Sequence, residues 1–192
     1  MSVKQPPIIT TDQWGAKPAK APPMYVSPPK RIIFHHTAGH HPEISLPRNE
    51  SRAEAILYAR AIQNFHMNGN GWNDSGHNFL VCRNGLILVG RHMSYPAIKK
   101  GRMVVSAHCL GQNDQPGIEH EHLGSERMTK AQFAASAHLC AWIVDNCRMR
   151  GGSAIHPHKE FNNTSCPAEL MAELPALKTA VDQILREATP GT

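Results

Sequence analysis

The chain has 192 residues, 41% of them hydrophobic, which is enough for one domain with a sizeable core. No stretch approaches 18 apolar residues, which excludes a membrane-spanning helix, and the opening M-S-V-K-Q-P-P lacks the apolar run of a secretory signal. The net charge of +5 suits an anionic polymer partner, but the 20 Lys and Arg are scattered without a run of five, which equally describes an ordinary basic surface.

Residues 1–30, rich in Pro and Lys, read as an irregular segment packed on the domain proper, taken as 31–188. Arg31–His36 is a short apolar run and reads as a buried strand. Residues 39–50 form a loop, and 51–67 carry Ala, Ile and Leu at helical spacing with Ser51 as N-cap. A Gly/Asn turn follows at 68–71. Asn78–Cys82 and Leu86–Gly90 flank Arg83-Asn84-Gly85, a strong hairpin signal. Met103–His108 and Gly117–Leu123 read as strands. Thr129 caps a helix running to Arg150 and stopped by Gly151-Gly152. A last helix spans Pro167 to Ala188, broken near Pro175, and 189–192 resemble the start of a linker. Strands interleaved with helices imply an α/β domain with a central mixed β-sheet flanked by α-helices. Five cysteines (Cys82, Cys109, Cys140, Cys147, Cys166) without close pairing argue against a disulfide framework and for a reducing compartment.

His35, in R-I-I-F-H-H-T-A-G, and His158 with Cys166, in I-H-P-H-K-E-F-N-N-T-S-C-P, supply two imidazoles and one thiolate. Three protein ligands leave the fourth tetrahedral position of a zinc ion open, the mark of a catalytic site. His36 competes with His35, and His156 with His158. Glu119 and Glu121 lie two apart on one predicted strand and so share a face. A carboxylate near an activated water can take its proton and return it to a leaving amine, although a solvated strand face would carry the same pattern. His77 stands where it can hydrogen-bond a reacting carbonyl or serve only as a strand-start histidine. Thr164 can donate a hydroxyl to substrate or cap its turn. His108 can bind substrate or be a loop histidine, and Asn162 and Asn163 read as turn formers.

The segments I-T-T-D-Q-W-G-A, I-I-F-H-H-T-A-G, G-H-N-F-L-V-C-R-N-G-L-I-L-V-G-R, A-H-C-L-G-Q-N-D, G-I-E-H-E-H-L-G and H-K-E-F-N-N-T-S-C-P occur in that order. Together they resemble the zinc-dependent N-acetylmuramoyl-L-alanine amidases of the peptidoglycan recognition protein and phage lysozyme superfamily, from about Ile9 to Cys166. The amidase domains of mycobacteriophage endolysins look most similar. The resemblance implies the peptidoglycan recognition protein-like fold and one Zn2+ per chain on His35, His158 and Cys166. It implies a proton shuttle at Glu119, which matches the cytosolic anhydro-muropeptide amidases, as does histidine at His77, where many members have tyrosine. Thr164 fits the recognition-protein amidases, whereas phage lysozymes have lysine there. His36, His108 and Asn113 fall on the substrate side.

The implied activity is hydrolysis of the amide between N-acetylmuramic acid and L-alanine. The expected partner is peptidoglycan, with no nucleic acid and no membrane insertion, for a monomer that stands alone or is joined to a wall-binding domain in a longer lysin. Such a protein is made in the host cytoplasm and reaches the wall after holin-mediated release. A non-catalytic muropeptide-binding module is the main rival; such modules typically lose the cysteine ligand, which is present here. A histidine-metal nuclease is the other, and a thiolate ligand counts against it.

Overall fold

The computed structural model describes residues 2–26, 28–38, 51–122 and 125–189. The predicted loop at 39–50, the last residue of the predicted strand 117–123 and the end of the linker segment lie outside them. In chain order the strands are β1 (Ile8–Ile9), β2 (Tyr25–Val26), β3 (Ile32–His36), β4 (Phe79–Val81), β5 (Ile87–Val89), β6 (Met103–Val104), β7 (Gly117–His120) and β8 (Ile155–Pro157). The helices are α1 (Thr11–Trp14), α2 (Arg52–Asn64), α3 (Ser94–Lys99), α4 (Lys130–Cys147) and α5 (Leu174–Ala188).

Six strands form one sheet in the order β1-β5-β4-β7-β3-β8, and β2 pairs with β6 in a separate ribbon. Only β4 and β5 run antiparallel within the large sheet, so it is mixed, as expected. Its two faces bury different clusters. Ile32, Phe34, Phe79, Val81 and Ile118 pack with Leu139 and Ile143 of α4 and with Leu177 and Val181 of α5. Leu80 and Leu88 pack with Trp14 and with Ala55, Tyr58 and Ala59 of α2. Fully burying each such aliphatic or aromatic side chain contributes roughly 1.5–3 kcal/mol. Because side chains alternate along a strand, placing Ile32 and Phe34 toward α4 turns Ile33 and His35 toward α2. The strand pattern thus aims the first candidate ligand.

The caps follow local chemistry. Ser51 accepts the Glu54 N–H and Glu54 returns a bond to the Ser51 N–H, a capping box. Thr129 caps α4 as predicted. The turn at Arg83-Asn84-Gly85 closes the β4–β5 hairpin, with Gly85 at φ 83° where an L side chain is strained.

Several expectations need correcting. Residues 1–30 are not uniformly irregular. Ile8 and Ile9 add an edge strand beside Ile87 and Leu88, and Trp14 is fully buried and donates its indole N–H to the Val89 carbonyl at 2.7 Å. The helix predicted over 51–67 ends as α at Asn64 and continues as a π turn, Phe65–Gly69. The predicted strand 103–108 is regular only over Met103–Val104, and β7 stops at His120. Pro175 does not break a helix. The chain is 3-10 over Ala168–Glu173, and Pro175 lies in the first turn of α5, where its missing N–H has no partner to lose. No helix among the described residues is long and apolar enough to cross a membrane.

Candidate metal centre and cleft

A cleft of about 600 Å³ opens on the α2 face of the sheet. β3 and β7 deliver His35, His36 and Glu119 to it, α2 and the π turn deliver Tyr58, Ile62, Phe65 and His66, and two later loops add His108, His158 and Thr164–Cys166. The position is the expected one for an open α/β sheet, at the carboxyl ends of parallel strands.

The donor atoms of His35, His158 and Cys166 all lie within 4.8 Å of one another. Cys166 Sγ stands 3.7 Å from His35 Nδ1, and the two imidazole centroids are 4.5 Å apart. Zinc bonds of ~2.3 Å to sulfur and ~2.0 Å to nitrogen place tetrahedral ligands ~3.5 Å from each other, so the trio fits that ion. His156 is not in the group; its Nδ1 faces the Glu160 carboxylate at 2.9 Å on the surface.

The trio is buried. Desolvation, then the neighbouring His108 and His158, hold His35 well below the usual imidazole pKa, so it is the neutral form that can ligate. Burial pushes the Cys166 thiol up to about 12, and nearby Glu119 adds to this while the His36 backbone N–H works against it. A metal ion is what would turn such a thiol into a thiolate.

Glu119 is the register partner of His35 across β3 and β7. It lines the cleft, its Oε2 is enclosed without a hydrogen-bond partner among the described residues, and burial raises its carboxyl to about 8. Glu121 does not share its face in practice. β7 ends at His120, and Glu121 instead accepts the Arg83 N–H at 2.9 Å, pinning the hairpin turn.

Thr164 lines the cleft and accepts the Cys166 N–H at 3.2 Å, which leaves its own O–H free to donate. His36 also lines the cleft, with Nδ1 unpartnered. His77 does not: it is 2% exposed and lies behind His66, ring centroids 5.7 Å apart. Asn113 does not line the cleft either; its side chain accepts the Cys109 N–H and its carbonyl accepts from Ser106, which shapes the loop carrying His108. His108 does line the cleft, yet both its ring nitrogens are engaged, with His35 at 2.8 Å and the Gln115 carbonyl at 2.9 Å. With both nitrogens engaged, its ring offers the cleft a face rather than a free donor or acceptor.

His66 was missed from sequence, where it reads only as one residue of a helix. Its Nδ1 accepts the Gly76 N–H at 3.0 Å, so the remaining ring proton sits on Nε2. It packs on Trp72 at 4.8 Å, and burial, then Arg91, lowers its pKa to about 4. A neutral N–H donor thus occupies the cleft wall.

A family model described as N-acetylmuramoyl-L-alanine amidase matches residues 25–169. The chain is 28% identical over 163 residues to peptidoglycan-recognition protein SC2 of Drosophila simulans, covering 83% of this chain and 79% of that protein. It is 24% identical to the human N-acetylmuramoyl-L-alanine amidase over 88% of this chain but only 28% of that longer protein. Among solved structures, peptidoglycan recognition protein LE in complex with tracheal cytotoxin superposes with a TM-score of 0.73 at 28% identity, covering 88% and 92% of the two chains. An endolysin amidase of Clostridium intestinale shares the fold, with a TM-score of 0.68 at 21% identity over 91% and 97%.

Proposed function

The chain belongs to the N-acetylmuramoyl-L-alanine amidase family, and from that premise we propose that it is a zinc-dependent enzyme cutting the amide between N-acetylmuramic acid and L-alanine in peptidoglycan. The observation that carries the reading is the assembly of the His35, His158 and Cys166 donors in one cleft with the Glu119 carboxyl, whose Oε2 has no partner among the described residues. The relative solved with tracheal cytotoxin, a monomeric diaminopimelic acid-type peptidoglycan, supports a muropeptide as occupant.

When bound by His35, His158 and Cys166, zinc supplies Lewis acidity that acidifies an attacking water and makes the amide carbonyl electrophilic. Burial alone favours the protonated Glu119 carboxyl, a cation held beside it would favour the ionised form, and that carboxylate takes the water proton and passes it to the departing L-alanine nitrogen. The Thr164 O–H and the His66 Nε2–H offer donors to the carbonyl oxygen as charge grows on it. The buried His35 and Cys166 give the cleft floor a low local dielectric, which strengthens these interactions. The resemblance of the ordered sequence segments to mycobacteriophage endolysin amidases favours a phage lysin acting on its host wall after the membrane is breached.

The test is digestion of purified peptidoglycan, with the new termini identified by mass spectrometry and metal counted per chain. Free lactyl carboxylates, new L-alanine amino termini and one zinc per chain are expected. Muropeptide binding without new termini would instead establish a recognition module.

A further inference from the structure

We propose that His108 and Asn162 are positioning residues that fix the tautomers of His35 and His158, so that each turns a bare Nδ1 into the space shared with Cys166. The inference rests on the zinc reading above and concerns how the ligand set is kept ready.

A neutral imidazole carries one N–H and one lone pair, and a carbonyl oxygen only accepts. His108 Nε2 lies 2.9 Å from the Gln115 carbonyl, so that nitrogen holds the proton. His108 Nδ1 is then an acceptor, and the group 2.8 Å from it is His35 Nε2. His35 must therefore donate from Nε2, which leaves Nδ1 bare, 3.7 Å from Cys166 Sγ.

The second arm follows the same logic from different atoms. The Asn162 amide nitrogen faces two carbonyls, Leu110 at 3.2 Å and Phe161 at 2.8 Å, which fixes which end of the amide is which. Its Oδ1 is left as an acceptor, taking the Cys109 S–H at 3.3 Å and the His158 Nε2–H at 3.0 Å. His158 Nδ1 is bare in turn.

The His108 arm is itself held. The Gln115 side-chain oxygen accepts the backbone N–H groups of Lys30 and Arg31, immediately before β3. The His108 ring lies so close over Gly117 that a Cβ there would come within 2.4 Å of it. An imidazole with its proton on the metal-facing nitrogen cannot ligate, and the partners that set the tautomer typically contribute 10–100-fold to metal affinity.

The experiment compares the parent with His108→Phe, His108→Gln and Asn162→Leu. Zinc affinity is read by competition with a chromophoric chelator, and histidine tautomers by long-range ¹H–¹⁵N correlation in the zinc-free protein. In the parent, His35 and His158 should both be protonated at Nε2. His108→Phe should convert the His35 signals to a tautomer mixture and weaken zinc by roughly 10–100-fold. His108→Gln, whose amide offers one acceptor and one donor, should recover most of that loss. Asn162→Leu should do to His158 what His108→Phe does to His35.

A parent His35 protonated at Nδ1 overturns the proposal. So does a folded His108→Phe that binds zinc as tightly as the parent, or a His108→Gln no better than Phe at equal melting temperature. If His108→Phe fails to fold, the parent spectrum and Asn162→Leu decide by the same criteria. A parent with His35 and His158 both protonated at Nε2 that binds no zinc sinks the zinc reading and leaves the tautomer assignment standing.

Discussion

Glu119 on β7 is the direct register partner of His35 on the neighbouring parallel strand β3. Both residues project toward α2, so the pairing of two strands sets the carboxyl beside the first ligand of the candidate metal trio.

Glu119→Gln should therefore keep the fold and keep zinc, because the amide is nearly isosteric and removes only a buried ionisable group. Its kcat should fall by roughly 10²–10⁴ with little change in KM, the usual worth of general acid–base catalysis. Glu121→Ala is the contrast: it deprives the Arg83 N–H of its acceptor and should cost about 1 kcal/mol of stability with near-parental kcat. Steady-state kinetics and urea melts of the two variants check this; equal kcat losses would mean that Glu119 is not the shuttle.

Cys166→Ser should lose zinc and activity together, since a hydroxyl lacks the charge and softness of a thiolate. His158→Ala should do the same, whereas His156→Ala should retain one zinc per chain, its ring being occupied by Glu160 at the surface. Metal analysis after gel filtration decides. A Cys166→Ser variant with stoichiometric zinc would remove the thiol from the ligand set.

Acid should destabilise the zinc-free protein through its buried imidazoles. Burial lowers His66 and His120 to about 4 from an ordinary 6.5. A depressed folded pKa gives stability that is complete above pH 6.5 and is lost as pH falls toward 4. Each group is worth on the order of 3 kcal/mol across that window. His92 acts in the opposite sense: its bond to Asp74 raises its pKa, so its contribution is present below 6.5 and fades as pH rises through the raised value. Six histidines (His35, His36, His66, His77, His108 and His120) are depressed, against the raised His92 and the Glu119 carboxyl raised to about 8, whose contribution is likewise present at low pH and fades as pH rises, so the balance predicts a net loss on acidification. Urea midpoints at pH 7, 5.5 and 4.5 should fall in that order, and a flat series would contradict the burial assigned to these histidines.

Much of this was legible where a local rule dominates. The Asn-Gly turn, the Ser51 and Thr129 caps, and a strand placing His35 near a His-Cys loop were all readable. Two-residue strands such as β1 and β2 carry no periodicity and are visible only through the partners that tertiary structure provides. The shared face expected of Glu119 and Glu121 failed because β7 ends between them, and period-two alternation holds only inside a strand. His108 and Asn162 read as loop residues because their partners are a carbonyl and an imidazole that no spacing reveals. His66 hid inside a helical pattern whose last turn is π, a distortion often found at functional sites.

The two histidines His66 and His77 offer the sharpest remaining contrast. Sequence reading puts His77 at the reaction, but the structure puts His66 on the cleft wall with His77 behind it. His66→Phe keeps the packing on Trp72 and removes the Nε2–H donor. It should lower kcat by roughly 10²–10³, the measured worth of one oxyanion donor elsewhere. It also strands the Gly76 N–H, so a stability loss of about 1–3 kcal/mol should accompany it. His66→Gln restores both an acceptor and a donor and should recover part of each. His77→Gln changes a side chain with no access to the cleft and should reduce stability while leaving kcat within a few-fold of the parent. Kinetics under conditions where every variant is folded separate the cases. A larger kcat loss in His77→Gln than in His66→Phe would return the donor role to His77 and require the cleft to rearrange when substrate binds.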